Sequence, residues 1–155
     1  ARDALAVEID DSYDAVVGGV GAPKDANLYQ TTRAATYVTL GDHNPLRENG
    51  RIVVPATLSE GPGEGTGERR FHEWLSTADS AAALYDEMAQ GYEAGAQRAF
   101  VVAQVLRNHD LWITDSEAPD VVADCLMRPA PEIADAVEPG SDVLVVPDAL
   151  DTLLV

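Results

Sequence analysis

The sequence predicts an α/β domain of three layers, with a mostly parallel sheet and helices on both of its faces. Two observations lead to this fold class. Short apolar, β-branched runs recur along the chain, and helical patterns of roughly 10–15 residues separate them. Such alternation is typical of a parallel sheet that is covered on both sides. The chain has 155 residues and shows neither repeats nor an internal boundary, so we expect residues 1–155 to form a single domain.

The individual elements follow from the same patterns. We expect strands where β-branched residues cluster, at 14–19, 51–56, 111–115 and 142–147. We expect helices over 27–40, 69–76, 79–91, 97–108, 118–125 and 131–137. A mobile loop rich in glycine lies between them at about 57–68. Its acidic side chains predict a lid or the wall of a cleft rather than a phosphate-binding loop.

A segment near the start of the chain carries the strongest functional signal. The strand at 14–19 runs into a turn formed by Gly18 and Gly19, and the helix that follows has Asp25 or Asn27 as its N-cap. A β-branched strand, a glycine turn and a helix N-terminus together are how α/β proteins bind an anionic group. Because ligands of such sheets bind at the carboxyl ends of the strands, this turn and the loop at 57–68 can line one cleft.

Three polar side chains stand at the start of the same helix. Tyr29, Gln30 and Arg33 occupy positions i, i+1 and i+4, within an arc of roughly 100°. A phenol, an amide and a guanidinium therefore face the same space as the helix's first backbone N–H groups, and this set suits a small carboxylate or phosphate. The residues alone leave a second interpretation open, in which the glycines serve only the turn and Arg33 is an ordinary exposed arginine.

The charge composition is extreme. The chain has 27 acidic and 10 basic residues, a net charge of −17, and Lys24 as its single lysine. Asp outnumbers Glu by 16 to 11, and the acids are dispersed along the chain. Such a surface repels nucleic acid and anionic lipid, so we expect neither as a partner. Depleted lysine and dispersed Asp indicate a halophile's protein, because molar salt screens the repulsion. An acidic protein with an unusual codon bias is the alternative.

A few further features of the sequence bear on where in the cell the protein is expected. No apolar run approaches the ~18 residues that a bilayer span needs, so we expect no membrane partner. Cys125 is the single cysteine, which excludes an internal disulfide and fits a reducing cytoplasm. It lies in an apolar helical pattern, where a cysteine packs rather than reacts. Nothing resembles a signal peptide. The first residue is Ala rather than Met, so we expect the chain to belong to something longer.

The sequence lacks the common catalytic and metal motifs. His43, His72 and His109 lie 29 and 37 residues apart, and no spacing of His, Cys or carboxylates typical of zinc occurs. A G-x-S-x-G elbow and an in-register G-x-G-x-x-G are also absent, which argues against an α/β-hydrolase triad and a dinucleotide-binding domain. A self-contained hydrolase or transferase that uses His72 and the loop carboxylates is one alternative function.

Several stretches resemble a known family, in the same order. GGVGAPKDANLYQTTRA at 18–34 is similar to the GG-x-P-x-D-x-N-x-YQ-x-x-K pattern that opens the C-terminal domain of the nickel-pincer-nucleotide lactate racemase family. Further matching stretches are GRIVVPA at 50–56, SEGPGEG at 59–65, FHEWL at 71–75, GAQRAFVVAQVLRNHDLWITD at 95–115 and SDVLVVPDA at 141–149. The resemblance spans roughly residues 12–150.

The resemblance implies an isomerase, a racemase or epimerase of 2-hydroxy acids. In that family a nickel-pincer mononucleotide accepts a hydride from the substrate's α-carbon and returns it to either face. The histidine acid/base pair, the cofactor-linking lysine and the nickel-ligating histidine belong to an N-terminal domain. The resemblance therefore implies that domain as a partner and a small 2-hydroxy acid as the substrate. This chain would be the substrate-side half of the site, inactive alone and without catalytic residues or metal ligands of its own.

The resemblance also assigns residues that bind substrate. Tyr29, Gln30 and Arg33 take the positions of the family's Tyr-Gln-x-x-Lys segment, which lines the substrate side. Arg33 stands where the family has Lys, and Arg98 stands where lactate-specific members carry an aromatic residue beside the substrate. A planar guanidinium binds differently from an ammonium group. The two departures imply a substrate with a second carboxylate, or with more hydroxyls than lactate has.

Cofactor contacts from this chain are expected at the glycine turn and at the glycine-rich loop. The residues are Gly18, Gly19, Glu60 and Gly61. The N-terminal domain is expected to bind most of the nickel-pincer mononucleotide. The alternative from another functional class is a non-catalytic α/β module, either regulatory or binding an anion or nucleotide. Such a module would bind its ligand without a partner domain.

Overall fold

A computed structural model describes residues 5–155, so residues 1–4 of the expected domain lie outside the described part. The strands are β1 (Leu5–Val7), β2 (Tyr13–Gly18), β3 (Leu46–Pro55), β4 (Asp110–Thr114), β5 (Arg128–Ala130), β6 (Val143–Val146) and β7 (Thr152–Leu154). The α-helices are α1 (Leu28–Thr31), α2 (Arg33–Thr39), α3 (Thr66–Thr77), α4 (Ala81–Met88), α5 (Gln97–Leu106), α6 (Pro119–Asp124) and α7 (Ile133–Ala136). A short 3₁₀ helix at Lys24–Ala26 precedes α1. No helix of residues 5–155 is both long and apolar enough to cross a bilayer.

Five strands form one parallel sheet in the order β5-β4-β3-β2-β6. A separate parallel pair joins β1 to β7. Every pairing among the described strands is parallel, and helices connect most successive strands of the sheet. Parallel neighbours need such crossover connections. The predicted α/β class with a mostly parallel sheet is therefore confirmed.

The two faces of the sheet pack against different cores. Val16, Ile52 and Val54 belong to the larger core, to which helices α1 to α6 all contribute. Val17 and Val53 alternate with them and belong to a smaller core that α7 covers. Each fully buried residue of this size contributes roughly 1.5–3 kcal/mol of transfer free energy. Helices lie on both faces, as expected, and all except α7 pack on the same face.

Some elements differ from the sequence prediction. The helix expected over 27–40 consists of α1 and α2, because Thr32 interrupts it while its Oγ1 donates to the carbonyl of Tyr29 at 2.9 Å. The strands β1, β5 and β7, each three residues long, were not predicted. Pro129 removes the usual strand signal from β5, and the edge position of β5 tolerates the missing N–H. The remaining bounds differ by a few residues.

Cys125 is packed in the larger core, as the sequence predicted. Its side chain is buried, and burial together with the nearby charge of Asp124 raises the pKa of the thiol to about 12. The thiolate is the reactive form of cysteine, and it is negligibly populated near neutral pH at such a pKa. Cys125 is therefore a packing residue.

Gly19 brings the chain after β2 into backbone contact with the end of β6. Its N–H donates to the carbonyl of Val146 at 2.9 Å, and its own carbonyl accepts from the N–H of Ala149 at 2.9 Å. A Cβ atom at position 19 would lie 2.1 Å from the carbonyl oxygen of Pro147. The backbone hydrogen bonds on either side hold the Pro147 carbonyl and position 19 in place, so only glycine fits there.

We expect Gly19→Ala to lower the free energy of unfolding by at least about 2 kcal/mol, because the added methyl must push β2 and β6 apart. Denaturant unfolding followed by circular dichroism measures the loss. Gly41→Ala is the matched control, since a Cβ there would meet only the carbonyl of Tyr37, at an ordinary 3.5 Å. A Gly19→Ala protein as stable as the Gly41→Ala protein would contradict this interpretation.

Candidate functional site

The start of α1 lies at the carboxyl edge of the sheet, just after the turn that follows β2. Asn27 is the N-cap, one of the two residues expected there, and its Oδ1 accepts from the N–H of Gln30 at 2.9 Å. The Nδ2 group of Asn27 donates to Glu68 Oε1 at 3.3 Å. The cap therefore ties the start of α1 to the first turn of α3 and fixes the direction of the side chains that follow.

The glycine-rich loop is hydrogen-bonded to this same segment. The N–H of Leu58 donates to Asp25 O at 2.9 Å, and the N–H of Glu60 donates to Ala26 O at 2.7 Å. In return, the N–H of Leu28 donates to Gly61 O at 2.9 Å. The side chain of Leu58 is buried in the larger core. These contacts fix residues 58–61 against the start of α1, and the role of this loop as a lid or cleft wall stays a prediction.

The structure brings Gln30 into contact with Arg33, and Tyr29 into contact with Arg98. Tyr29, Gln30 and Arg33 are all half-buried. Arg33 Nη1 donates to Gln30 Oε1 at 3.2 Å, and Arg33 Nη2 donates to the hydroxyl of Tyr37 at 2.6 Å. The guanidinium also lies over the ring of Tyr37, with Cζ 5.4 Å from the centroid. The guanidinium is therefore held in one orientation by its own helix.

Arg33 is charged, yet its partners are neutral. Within residues 5–155 no carboxylate lies within ion-pair distance of it. Its Nε–H is buried and has no hydrogen-bond partner in the described chain. An unsatisfied buried donor on a cation is costly. Nη1 and Nη2 each keep a second N–H, and these donors are the ones that an anionic ligand can use.

Arg98 adds a second guanidinium to this surface, from the first turn of α5. Its Nη1 donates to Thr36 Oγ1 at 3.2 Å, and its Cζ lies 5.7 Å from the ring centroid of Tyr29. Tyr29 in turn packs edge-on against Phe71, with ring centroids 5.5 Å apart. Tyr29 thus supports Arg98 on one side and is supported by α3 on the other.

A cavity of about 560 Å³ opens between α2, α5 and β7. Tyr29, Thr36 and Arg98 line its polar part, and the apolar lining includes Leu40 and Leu153. The sequence prediction missed Thr36 and Tyr37 as members of this surface. The signal was present, since both stand seven or eight residues after Tyr29 and so share its face of the helical run.

The four residues expected to contact a cofactor lie along this edge. Gly18 and Gly19 pack against the segment after β6, where a Cβ on Gly18 would meet that of Ala149 at 3.4 Å. Their lack of side chains therefore serves close packing within the chain. Glu60 is exposed, and the space beside the Cα of Gly61 is open. The cofactor contacts of these four residues stay a prediction.

The histidines are not gathered at the site. His109 lies at the opposite edge of the sheet, where its Nδ1 is 2.9 Å from Gly50 O and its Nε2 is 3.2 Å from the side chain of Asn44. His72 lies on α3 and has no hydrogen-bonded carboxylate in the described chain. Among residues 5–155 no group of three His, Cys, Asp or Glu side chains could hold a metal ion.

Comparisons with known proteins agree with this architecture. The family model for the lactate racemase C-terminal domain matches residues 8–152. A lactate racemase from Thermoanaerobacterium thermosaccharolyticum is 25% identical over 146 residues, which are 86% of this chain and 32% of that protein. The solved lactate racemase apoprotein from the same bacterium has a TM-score of 0.80 at 22% identity and covers 97% of this chain and 37% of that one.

The structural likeness, at 22% identity, shows the fold. The chain spans about a third of the length of these relatives. The family model, in contrast, matches nearly the whole chain. This chain therefore belongs to the lactate racemase C-terminal domain family.

Proposed function

We propose that this chain is the substrate-side domain of a 2-hydroxy-acid racemase or epimerase, and that an N-terminal domain supplies the rest of the active site. The observation that carries the proposal is the state of Arg33. Its guanidinium is oriented by Gln30 and Tyr37, has no carboxylate partner in the described chain, and keeps one further N–H on each of Nη1 and Nη2. This is the arrangement that a carboxylate ligand would complete.

Each residue has a role that its position allows. Arg33 would bind the substrate's carboxylate through two parallel N–H···O bonds, which fixes the plane of the carboxylate as well as its position. The hydroxyl of Tyr29 has no hydrogen-bond partner among residues 5–155 and can donate to a substrate oxygen. The amide nitrogen of Gln30 is available too, because its oxygen already accepts from Arg33.

Family membership supports a nickel-pincer mononucleotide as the cofactor, which supplies reversible hydride acceptance from the substrate's α-carbon. The described residues do not offer a nickel site, and Gly18 and Gly19 are occupied by packing within the chain. We therefore assign cofactor binding, with the acid/base histidines, to the N-terminal domain. The role left to this chain is to bind and orient the substrate.

The charge composition supports a setting in molar salt within the cytoplasm of a halophile. A net charge of −17 on 155 residues produces strong self-repulsion in dilute buffer. At molar ionic strength the screening length falls to about 3 Å, and the repulsion between dispersed carboxylates largely vanishes.

We expect Arg33→Ala in the full-length protein to raise KM and to cost on the order of 2–4 kcal/mol of transition-state binding, because a desolvated charged contact with the carboxylate is lost. Steady-state racemisation kinetics measure this. Arg128→Ala is the matched control, since Arg128 lies on the edge strand β5, away from the site, and forms an exposed ion pair with Asp110 of β4. An unchanged kcat/KM for Arg33→Ala would refute the assigned role.

The domain arrangement predicts a half-site. Full-length protein supplied with the nickel-pincer cofactor should scramble the α-hydrogen of a 2-hydroxy acid in molar KCl, and the 155-residue chain alone should not. Exchange of the α-hydrogen followed by NMR measures both, with circular dichroism as the check that each sample is folded. Activity of the chain alone without nickel would favour a self-contained enzyme. Ligand binding without any scrambling by the full-length protein would favour a non-catalytic module.

The proposed halophilic setting has its own test. We expect the free energy of unfolding of this chain near neutral pH to rise by at least about 1 kcal/mol between low and molar KCl, because salt screens carboxylate repulsion in the compact state. Urea unfolding at both salt concentrations measures the change. The same comparison near the sequence pI of about 4.2 is the control, since the net charge vanishes there and the gain should shrink. Equal stability at both salt concentrations near neutral pH would argue against a halophilic setting.

A further inference from the structure

One carboxylate joins the glycine-rich loop to the start of α1. Glu68 lies in the first turn of α3, and its Oε2 accepts from the N–H of Gly65 at 2.7 Å. Its Oε1 accepts from Asn27 Nδ2 at 3.3 Å. The loop also passes directly against this group, since a Cβ atom on Gly63 would lie 2.3 Å from Glu68 Oε2. Glu68 therefore contacts both the loop and the N-cap of α1.

The direction of each of these hydrogen bonds is fixed. Asn27 Oδ1 accepts from the N–H of Gln30 at 2.9 Å, so the amide nitrogen of Asn27 is the atom that faces Glu68. An amide nitrogen and a backbone N–H can only donate. Glu68 must therefore offer two acceptor oxygens, one to Asn27 and one to Gly65. A carboxylate has both, whereas the amide of a glutamine has only one.

The helix α1 depends on such contacts because it is short. It has four residues, Leu28–Thr31, and an isolated helix of one turn is not stable in water. Its start is held by the side chain of Asn27 and by the N–H of Leu28, which donates to Gly61 O at 2.9 Å. The first of these leads to Glu68 and the second to the glycine-rich loop. The orientation of α1 is therefore set by groups outside it.

We infer that Glu68 is a positioning residue, which couples the conformation of the glycine-rich loop to the orientation of the substrate-side residues on α1. The inference rests on the proposed function, in which Tyr29 and Gln30 meet the substrate. Glu68 acts through Asn27, whose side chain is buried. A movement of the loop that displaces the carboxylate leaves the Asn27 amide nitrogen without an acceptor, and water does not readily replace it at a buried position. The loop and the start of α1 therefore change state together.

The first test exchanges the hydrogen-bonding groups in the full-length, cofactor-loaded protein. Glu68→Gln leaves one of the two donors without an acceptor, and Asn27→Asp places two carboxylates opposite each other. We expect each change alone to reduce kcat/KM for the racemised 2-hydroxy acid at least about tenfold. Asn27→Asp combined with Glu68→Gln again places a donor opposite an acceptor. We expect kcat/KM of this double variant to return to within about threefold of the wild-type value.

Two independent structural losses would add, so such a recovery reports the contact itself. Glu73→Gln is the matched control, because Glu73 lies exposed on the same helix α3 and the change removes the same charge. Its kcat/KM should equal that of the wild type. A double variant no more active than the single variants overturns the inference, and this comparison also decides where a single variant folds poorly.

An exchange measurement on the full-length protein tests the coupling without catalysis. In Glu68→Ala we expect the backbone N–H of Gln30 to exchange with solvent at least about fivefold faster, because the freed Asn27 amide caps it less well. Glu68 does not itself bond to this N–H, so faster exchange reports transmission through Asn27. The N–H of Val53, in the central strand β3, is the control and should not change. NMR measures both rates.

The two measurements separate this inference from the proposed function. Unchanged exchange at Gln30 overturns the inference, even if the wild-type protein racemises a 2-hydroxy acid. Faster exchange at Gln30 in a protein whose wild type racemises no 2-hydroxy acid supports the coupling and refutes the proposed function.

Discussion

Three backbone hydrogen bonds between residues 25–28 and 58–61 fix where the candidate site lies. They join the segment after β2 to the segment after β3, so the two neighbouring strands present one continuous rim. Asn27 then starts α1 at that rim, and its second contact, with Glu68, adds α3 to the same corner. The orientations of Tyr29 and Arg33 follow from this cap. Without it, the polar face of α1 and α2 would have no fixed direction relative to the cavity.

The candidate site carries positive charge on a protein whose surface is otherwise strongly acidic. Most of the surface repels anions, and this repulsion would weaken binding of any acid that approached at random. The site counters it locally, with guanidiniums that neutral groups orient and that no carboxylate of the described chain neutralises. Neutral partners such as Gln30, Thr36 and Tyr37 orient the guanidiniums without neutralising their positive charge. The result is a local attraction that molar salt screens less than it screens the exposed surface, because the groups are half-buried.

Much of the fold could be predicted from the sequence, because the spacing of apolar residues distinguishes buried β-branched strands from amphipathic helices. Local spacing also narrowed the N-cap to two residues, one of which is Asn27, and placed Gln30 within reach of Arg33. Spacing could not show that Arg98 lies against Tyr29, since that contact joins α1 to α5 and depends on packing. The family resemblance alone placed Arg98 beside the substrate. The packing role of Gly19 could not be predicted either, because its contact with Pro147 depends on the pairing of β2 with β6, which are far apart in sequence. Three-residue strands such as β5, with a central proline, carry too little pattern to be recognised.

The pairing of β1 with β7 has a consequence for the path of the polypeptide. Because the pair is parallel, with Leu5 beside Thr152 and Val7 beside Leu154, the chain enters the pair at one end and leaves it at the other. The ends of a parallel pair cannot be joined by a tight turn and need a crossover of roughly a dozen residues. The start of β1 and the end of β7 therefore lie at opposite ends of the pair. A circular permutant of this domain would accordingly need a long linker, even though its first and last strands are hydrogen-bonded neighbours.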